Sequence, residues 1–170
     1  MVATKTLQLG LLTATLFVAG AARAGIARQT TTFLVDADEQ AVCHWIDQNT
    51  TALDESSGTE VLAVRGRQST LRTETKEGTF TVVVDHGLHH VCSNGPGEFR
   101  TVLLKSDNPD LVSQETKIRV EHEGTGSRVT ITVVADVTTH SAMAIALGIR
   151  PSIRGMRKLL ESHFGTPNEQ

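Results

Sequence analysis

The chain has 170 residues, and its composition, 39% hydrophobic and 21% charged, suits a folded globular domain. The formal net charge is −3 at pH 7, and the basic residues are interspersed with acidic ones. Nucleic-acid-binding proteins usually concentrate basic residues in a patch, so we predict no nucleic-acid partner. The sequence also lacks a Gly-rich phosphate loop, a nucleophile elbow and a His-Glu-x-x-His motif, which argues against the usual nucleotide enzymes, hydrolases and zinc peptidases.

Residues 1–24 have the pattern of a cleavable secretory signal. Lys5 precedes an apolar stretch, residues 7–19, and a run of small residues ends at Ala24. As a helix the apolar stretch would span about 20 Å, well short of the roughly 30 Å core of a bilayer, so we predict no transmembrane anchor. We predict export to the periplasm or the cell exterior. An amphipathic helix docked on the domain is the alternative.

The remainder is predicted to form one domain, residues 25–165, with a short C-terminal tail, 166–170. Cleavage of the signal would remove two basic residues and no acidic one, which takes the net charge from −3 to −5. The two cysteines, Cys43 and Cys92, would then meet an oxidising environment. A disulfide between them would contribute about 4 kcal/mol through chain entropy. Two buried free thiols are the alternative.

The domain opens with a predicted strand, residues 29–35, that is rich in Thr, Phe and Val. Asp38 can then cap a helix in which apolar residues recur at helical spacing, namely Val42, Trp45 and Ile46. A further helical turn is predicted over residues 50–55. Two short helices therefore follow the first strand.

From residue 59 to residue 139 the sequence predicts strands separated by turn residues. The predicted strands are 60–67, 69–75, 79–85, 88–92, 99–106, 112–123 and 128–138. Fusion of one or two of these into a single bent strand is the alternative. Because no helix intervenes, neighbouring strands are expected to be antiparallel.

The predicted strand 112–123 has two clearly different faces. One face is almost entirely charged. The other carries Val112, Gln114, Thr116, Ile118, Val120 and His122. A solid core seldom includes such polar groups unless each finds a partner, so this face fits the wall of a cavity. Buried hydrogen bonds, or a strand end exposed at His122, are the alternatives.

The chain ends in a predicted amphipathic helix, residues 141–164. Its apolar stripe is formed by Ile145, Ile149, Ile153, Met156, Leu160 and Phe164. Burying this stripe would contribute roughly 10 kcal/mol before the entropy cost. Pro151 predicts a kink or break near residues 148–151. The opposite side is basic, with Arg150, Arg154, Arg157 and Lys158; solvation of this side is expected, and contact with a membrane surface is the alternative.

Two segments resemble the helix-grip (SRPBCC) superfamily, which includes START lipid-transfer domains, birch-pollen allergens and polyketide cyclase-like proteins. Residues 33–46, Phe-Leu-Val-Asp-Ala-Asp-Glu-Gln-Ala-Val-Cys-His-Trp-Ile, resemble its opening strand, turn and helix. Residues 130–137 and the helix from Ser141 resemble its ending. The resemblance implies an α+β fold in which a curved antiparallel sheet of about six or seven strands grips a long C-terminal helix, with two short helices after strand 1.

The same resemblance implies a cavity between the sheet and the last helix, which the superfamily uses for sterols, lipids, aromatic polyketides or hormones. Our leading hypothesis is an exported protein that holds a hydrophobic or amphipathic ligand, lipid-like or polyketide-like, without a cofactor. The cavity wall would include the inner face of strand 112–123 and three residues of the helix, Ile149, Ile153 and Met156. The chain has no Tyr and one Trp, which limits aromatic stacking on a ring-shaped ligand.

Two other functions stay open at this point. The first is a cyclase- or hydrolase-type enzyme that uses the cavity with His122 or His86 as base, since some members of the superfamily catalyse such reactions. A histidine hydrogen-bonded to a buried carboxylate would favour it. The second is a structural or interaction protein with a closed core.

Ligand-type side chains are densest at Asp85, His86 and His89. Imidazole and carboxylate groups can bind zinc or copper. However, His89 is followed by His90, and adjacent strand residues face opposite ways. We therefore predict solvent-exposed histidines in a turn rather than a metal site.

Overall fold

The computed structural model describes residues 25–75, 78–87, 96–138 and 142–167, except for the side chains of 142–147. The elements in these ranges are β1 (Gly25–Val35), α1 (Glu39–Gln48), α2 (Thr50–Ser56), β2 (Thr59–Arg65), β3 (Gln68–Thr75), β4 (Gly78–Asp85), β5 (Gly97–Ser106), β6 (Leu111–Glu123), β7 (Gly126–Val137) and α3 (Ala142–Phe164). The predicted signal segment, 1–24, and the predicted strand 88–92 lie outside the described residues.

The seven strands form one sheet in the order β1-β7-β6-β5-β4-β3-β2. Every pair of neighbours is antiparallel. β1 and β7 pair along their whole length, from Gly25 opposite Val137 to Val35 opposite Ser127. The predicted fold class is therefore confirmed: an antiparallel sheet, two short helices after the first strand and a long C-terminal helix.

Helix α1 begins where the sequence predicts it. The Oδ1 atom of Asp38 accepts a hydrogen bond from the backbone N–H of Ala41 at 2.8 Å, which satisfies one of the donors that the first helical turn leaves free. Val42, Cys43 and Ile46 then recur at helical spacing, and all three are buried in the core. The periodicity of α1 thus turns one side of the helix onto the sheet.

Helix α3 contains Pro151 and is nevertheless one helix, so of the predicted kink or break near residues 148–151 the break does not occur. A kink there stays a prediction. A proline inside a helix removes one backbone N–H and with it one hydrogen bond. Pro151 is exposed, and the turns that follow it are anchored by the buried residues Ile153 and Met156. We infer that this packing offsets the lost hydrogen bond.

The apolar stripe of α3 is confirmed over its described part. Ile153, Met156 and Leu160 are buried, and Ile149 and Phe164 are half-buried against the same cluster. The side chain of Ile145 lies outside the described residues. The helix packs across β1 and β7 and touches α2. The four basic residues of its opposite side are exposed, namely Arg150, Arg154, Arg157 and Lys158.

Helices α2 and α3 approach each other closely at Gly155. A β-carbon at Gly155 would overlap the carbonyl oxygen of Ser56, the last residue of α2. Only glycine leaves room for the backbones to meet in this way. The contact fixes the second half of α3 against the short helices.

The hydrophobic core lies on the helix-carrying side of the sheet. It is built from α1, α2, the second half of α3 and four strands, with the buried residues Phe33, Val35, Val42, Cys43, Ile46, Leu53, Phe99, Ile118, Val120, Val129, Ile131, Val133, Ile153, Met156 and Leu160. All of these side chains are apolar. The core therefore joins β1, the first described element, to α3, the last one.

Candidate functional site

The helix-facing side of the sheet has two halves that differ in how completely they are covered. In the packed half, side chains are buried beneath the helices; its members on β5, β6 and β7 are Phe99, Ile118, Val120, Val129 and Ile131. The open half continues the same side of β5 and β6 towards the β5–β6 turn, with Thr101, Leu103, Leu111, Gln114 and Thr116.

In the open half, Gln114 is exposed and the other four side chains are half-buried. The residues on β7 that lie opposite are buried: Ala135 pairs with Gln114, and Val137 pairs with Leu111. Helix α3 begins at Ala142, close after the end of β7 at Val137. The helix packs against β1, β7 and α2, and its second half covers the packed half. The β5 and β6 side chains of the open half are thus incompletely covered.

The predicted inner-face residues of β6 divide between the two halves. Ile118 and Val120 are buried in the core, opposite Ile131 and Val129. Thr116 is half-buried and Gln114 is exposed, both in the open half. The role of all four in binding a ligand stays a prediction; Ile118 and Val120 are enclosed in the core, whereas Thr116 and Gln114 are not.

Val112 is the exception, because its predicted position on the inner face is wrong. The pairing of β6 with β7 shifts between Leu111 and Ser113, so Val112 is the extra residue of a β-bulge. Leu111 takes the helix-facing position opposite Val137, and Val112 is 57% exposed. Counting alternate residues along the sequence fails here because one inserted residue moves a side chain to the other face.

His122 does not face the open half. It lies near the end of β6, opposite Ser127, and is exposed. Ser127 is fully buried, and its hydroxyl donates a hydrogen bond to the carbonyl oxygen of Ala37 at 2.7 Å. The placement of His122 matches the alternative of an exposed strand end and gives no support to His122 as a base in a cavity.

The three helix residues predicted for the cavity wall lie at different depths. Ile153 and Met156 are buried among core side chains, which leaves them inside the packed half. Ile149 is half-buried at the edge of the core. Of the three, Ile149 is therefore the least deeply buried.

A buried polar cluster surrounds His86, which is 5% exposed. The predicted exposure of the histidines in this turn is therefore wrong for His86, because three side chains from other elements enclose it. Its Nε2 atom lies 2.9 Å from Ser69 Oγ and 3.2 Å from Asp54 Oδ2, and its Nδ1 atom lies 3.2 Å from Thr101 Oγ1. The backbone N–H of His86 donates to the carbonyl oxygen of Arg67 at 2.9 Å. The cluster joins α2, β3 and β5 around the residue that follows β4.

The geometry of this cluster differs from a catalytic triad. In a triad the carboxylate binds Nδ1 and the nucleophilic hydroxyl binds Nε2, whereas here Asp54 and Ser69 both approach Nε2. The contact with Asp54 Oδ2 is close but lacks hydrogen-bond alignment, since this buried oxygen has no hydrogen-bond partner. Ser69 is fully buried. The cluster cross-links α2 to the sheet and presents no accessible nucleophile.

The candidate metal ligands do not converge in the described part of the chain. Asp85 forms an ion pair with Arg67 at 3.5 Å, whereas His86 is enclosed by the polar cluster. His89 lies outside the described residues. Among the described residues, no three His, Cys, Asp or Glu side chains form a group that could hold a metal ion.

A concavity of about 350 Å³ lies where α2 leads into β2. It is lined by Glu55, Gly58, Thr59, Glu60, Arg72 and Glu74. Arg72 Nη1 donates a hydrogen bond to Glu60 Oε2 at 2.9 Å, so the guanidinium is already engaged. Its carboxylates make this concavity unsuitable for an apolar molecule.

Cys43 is buried in the core and is disulfide-bonded. Cys92, the other cysteine in the sequence, lies outside the described residues. The predicted pairing of the two cysteines stays a prediction.

The outer face of β5 and β6 carries an ion-pair network. Arg100 Nε donates to Glu115 Oε1 at 2.6 Å, and Lys117 Nζ lies 3.3 Å from the same oxygen. Burial raises the pKa of Glu115, but the hydrogen bonds from Arg100 and Lys117 outweigh this effect and leave the pKa below its usual value. Arg100 therefore serves the outer surface of the sheet and does not face the open half.

No protein-family model matches the chain, and no curated protein matches it. Solved structures do. A START superfamily protein from Mycobacterium smegmatis superposes with a TM-score of 0.57 at 16% identity, over 82% of this chain and 97% of that one. Ginseng major latex-like protein 151 from Panax ginseng gives 0.54 at 6% identity, over 79% and 97%. Ara h 8.0201 gives 0.54 at 11% identity, over 82% and 98%. The chain therefore has the helix-grip fold.

Among the described residues, no helix is long and apolar enough to cross a bilayer.

Proposed function

We propose that this chain is an exported protein that binds a small hydrophobic or amphipathic molecule, lipid-like or polyketide-like, between the open half of the sheet and the first half of α3. The observation that carries the proposal is the contrast along one side of one sheet. The packed half is sealed by apolar side chains, whereas the open half is only partly covered. The helix-grip resemblance supports the same location.

The side chains of the open half favour an amphipathic ligand. Leu103 and Leu111 offer aliphatic surface, and Thr116 and Gln114 offer a hydroxyl and an amide group, whereas the Thr101 hydroxyl is already engaged by His86. A few polar groups placed among apolar ones orient a ligand in most small-molecule sites. The chain has no Tyr, so aliphatic packing would contribute more to recognition than ring stacking.

Two observations support export. Residues 1–24 have the pattern of a secretory signal. Cys43 is disulfide-bonded, and disulfides persist mainly in oxidising compartments such as the periplasm or the cell exterior. Cell fractionation of the native host, with mass spectrometry of the N-terminus, tests this part of the proposal. A cytosolic protein that retains residue 1 would contradict it.

Binding is tested first by native mass spectrometry and organic extraction of the protein purified from its own host. We expect a bound apolar molecule that is removed by solvent. A dansyl-labelled fatty acid then serves as the probe in a fluorescence titration. Repeated purification without any bound molecule, together with no binding of the probe, would overturn the proposal.

The location is tested with two adjacent substitutions on β6. Gln114→Trp places a bulky ring in the open half, and Ser113→Trp places the same ring at an exposed position on the outer face of the same strand. We expect Gln114→Trp to weaken probe binding by about tenfold or more, equivalent to about 1.4 kcal/mol. Ser113→Trp should leave the affinity unchanged. Equal effects of the two substitutions would refute this location.

A further inference from the structure

Strand β2 is an edge of the sheet with unusual exposed apolar residues. It is the last strand in the order, and no described strand pairs with its outer side. Leu62 is 41% exposed and Val64 is 52% exposed, and Ala63 between them is exposed as well. Natural edge strands usually carry Lys, Pro or other devices that prevent pairing with another chain. β2 has a bulge and two charged residues, Glu60 and Arg65, but no Lys and no Pro.

The bulge changes which residues of β2 share a face. The pairing with β3 shifts between Val61 and Ala63, so Leu62 is the extra residue. Val61 pairs with Leu71 and Val64 pairs with Ser69. Leu71 and Ser69 are two residues apart and both buried, so they lie on the same side of β3. Val61 and Val64 therefore share one face although they are three residues apart.

The same reasoning places two opposite charges together on the other face. Glu60 pairs with Arg72, and Arg65 pairs with Gln68. Arg72 and Gln68 are four positions apart, so they lie on the same side of β3, opposite to that of Leu71 and Ser69. Glu60 and Arg65 therefore share the outer face of the sheet. Arg72 holds the Glu60 carboxylate at 2.9 Å. Arg65 is exposed, and no described acidic side chain forms an ion pair with it.

We propose that β2 pairs antiparallel with β2 of a second copy of this chain, about a two-fold axis between Leu62 and Ala63. In this register Val61 of each copy lies opposite Val64 of the other, and Glu60 lies opposite Arg65. A two-fold axis perpendicular to the sheet keeps each face on its own side, so paired residues must share a face. In a regular strand, residues three apart such as Val61 and Val64 lie on opposite faces, so they could not pair in this register. The bulge at Leu62 places Val61 and Val64 on one face, and Glu60 and Arg65 on the other.

The dimer thus has two apolar cross-strand pairs and two opposite-charge pairs, in addition to the backbone hydrogen bonds of the joined edges. The other edge of the sheet offers no such match. β1 carries a single charged residue, Arg28, and no acidic one, so two copies of β1 cannot form an opposite-charge pair. Charge complementarity therefore selects β2 and a second copy of this chain as its occupant.

The test exchanges the charges at Glu60 and Arg65 in the protein purified after processing by its own host. Sedimentation equilibrium over a wide concentration range measures the dissociation constant of the dimer. We expect the wild type to form a dimer. Arg65→Glu turns two opposite-charge pairs into two like-charge pairs, and should raise the dissociation constant by about tenfold or more. Glu60→Lys should act in the same direction. The double variant Glu60→Lys/Arg65→Glu restores opposite charges across the axis and should recover the dimer.

Two further variants keep the test decisive. Val64→Lys should produce a monomer, whereas Leu34→Lys, at a position of equal 41% exposure to that of Leu62 but on β1, should leave the dimer intact. Thermal unfolding of each variant confirms that it is folded. A wild type that is monomeric at every concentration would overturn the proposal. So would a dimer that Leu34→Lys disrupts, or one in which the double variant associates no better than the single variants.

Discussion

The packed half and the open half of the sheet belong to the same strands and the same face, yet only one is sealed. In the packed half, α1, α2 and the second half of α3 fill the concavity with apolar side chains, and Gly155 lets α3 meet α2 without a gap. In the open half, the β6 residues are Thr116, Gln114 and Leu111, and the covering is incomplete. The difference shows that one face of a single sheet can be sealed at one end and left partly uncovered at the other when its helices cover it unequally.

The largest contrast between two matched variants is expected from filling the contact at Gly155. Gly155→Ala would force its β-carbon into the carbonyl oxygen of Ser56, so α3 or α2 must shift and the packed half must loosen. We expect the free energy of unfolding to fall by about 3 kcal/mol, at the upper end for overpacking, as measured by urea denaturation.

Gly148→Ala is the matched control in the same helix, because no atom lies within 4 Å of the added carbon. Alanine is the better helix former by up to about 1 kcal/mol, so this variant should be as stable as the wild type or more so. If both glycines tolerate alanine equally, the close approach of α2 and α3 does not hold the packed half together.

A smaller contrast is expected from truncating one residue in each half. Ile131→Ala removes a fully buried side chain of the packed half and should cost about 2 to 4 kcal/mol of unfolding free energy. Leu103→Ala removes a half-buried side chain of the open half and should cost about 1 kcal/mol, because less apolar area is lost.

For ligand affinity we expect the reverse order, with the larger loss in Leu103→Ala. Leu103→Ala should weaken binding of the dansyl-labelled fatty acid, whereas Ile131→Ala should leave the affinity of the folded fraction unchanged. A larger loss of stability for Leu103→Ala than for Ile131→Ala would mean that the open half is packed as tightly as its counterpart.

The smallest effect is expected on the outer face, away from both halves. The pKa of Glu115 is lowered from 4.5. A carboxyl group with a lowered folded-state pKa stabilises the protein above its unfolded-state pKa, and this stabilisation is lost as the pH falls through the folded-state value. Glu115→Gln should therefore cost about 0.5 kcal/mol or less at neutral pH, since exposed ion pairs contribute little.

The difference between Glu115→Gln and the wild type should shrink as the pH falls below 4.5. Added salt should shrink it too, because exposed charges are screened. Urea denaturation at several pH values measures both. If this difference in unfolding free energy grew towards acid pH, the stabilisation by Glu115 would not come from the ion pairs that lower its pKa.

The parts of the fold that depend on local patterns could be predicted from the sequence. The cap at Asp38, the alternation of Val129, Ile131 and Val133 along β7, and the apolar stripe of α3 each follow from the spacing of neighbouring residues. The break near Pro151 was predicted wrongly, since packing of the turns beyond a proline cannot be read from its immediate neighbours.

The candidate site depends on pairing between distant residues, and there the sequence was less informative. The bulge that exposes Val112 is visible only in the register of β6 against β7. Asp54, Ser69 and Thr101 surround His86 from three separate elements, and no local spacing connects them. The sequence offers one hint, because the hydrogen-bonding residues Ser69, His86 and Thr101 lie on or directly after three consecutive strands.

The pairing of β1 with β7 also has a consequence for how the chain folds. Residues joined across this pair, such as Thr30 and Thr132, are 102 positions apart, so the first strand gains its neighbour only when the last strand has been made. Long-range pairings of this kind slow folding, because loop closure must precede the contacts that reward it. The sheet of a nascent chain therefore cannot be completed until β7 has been synthesised.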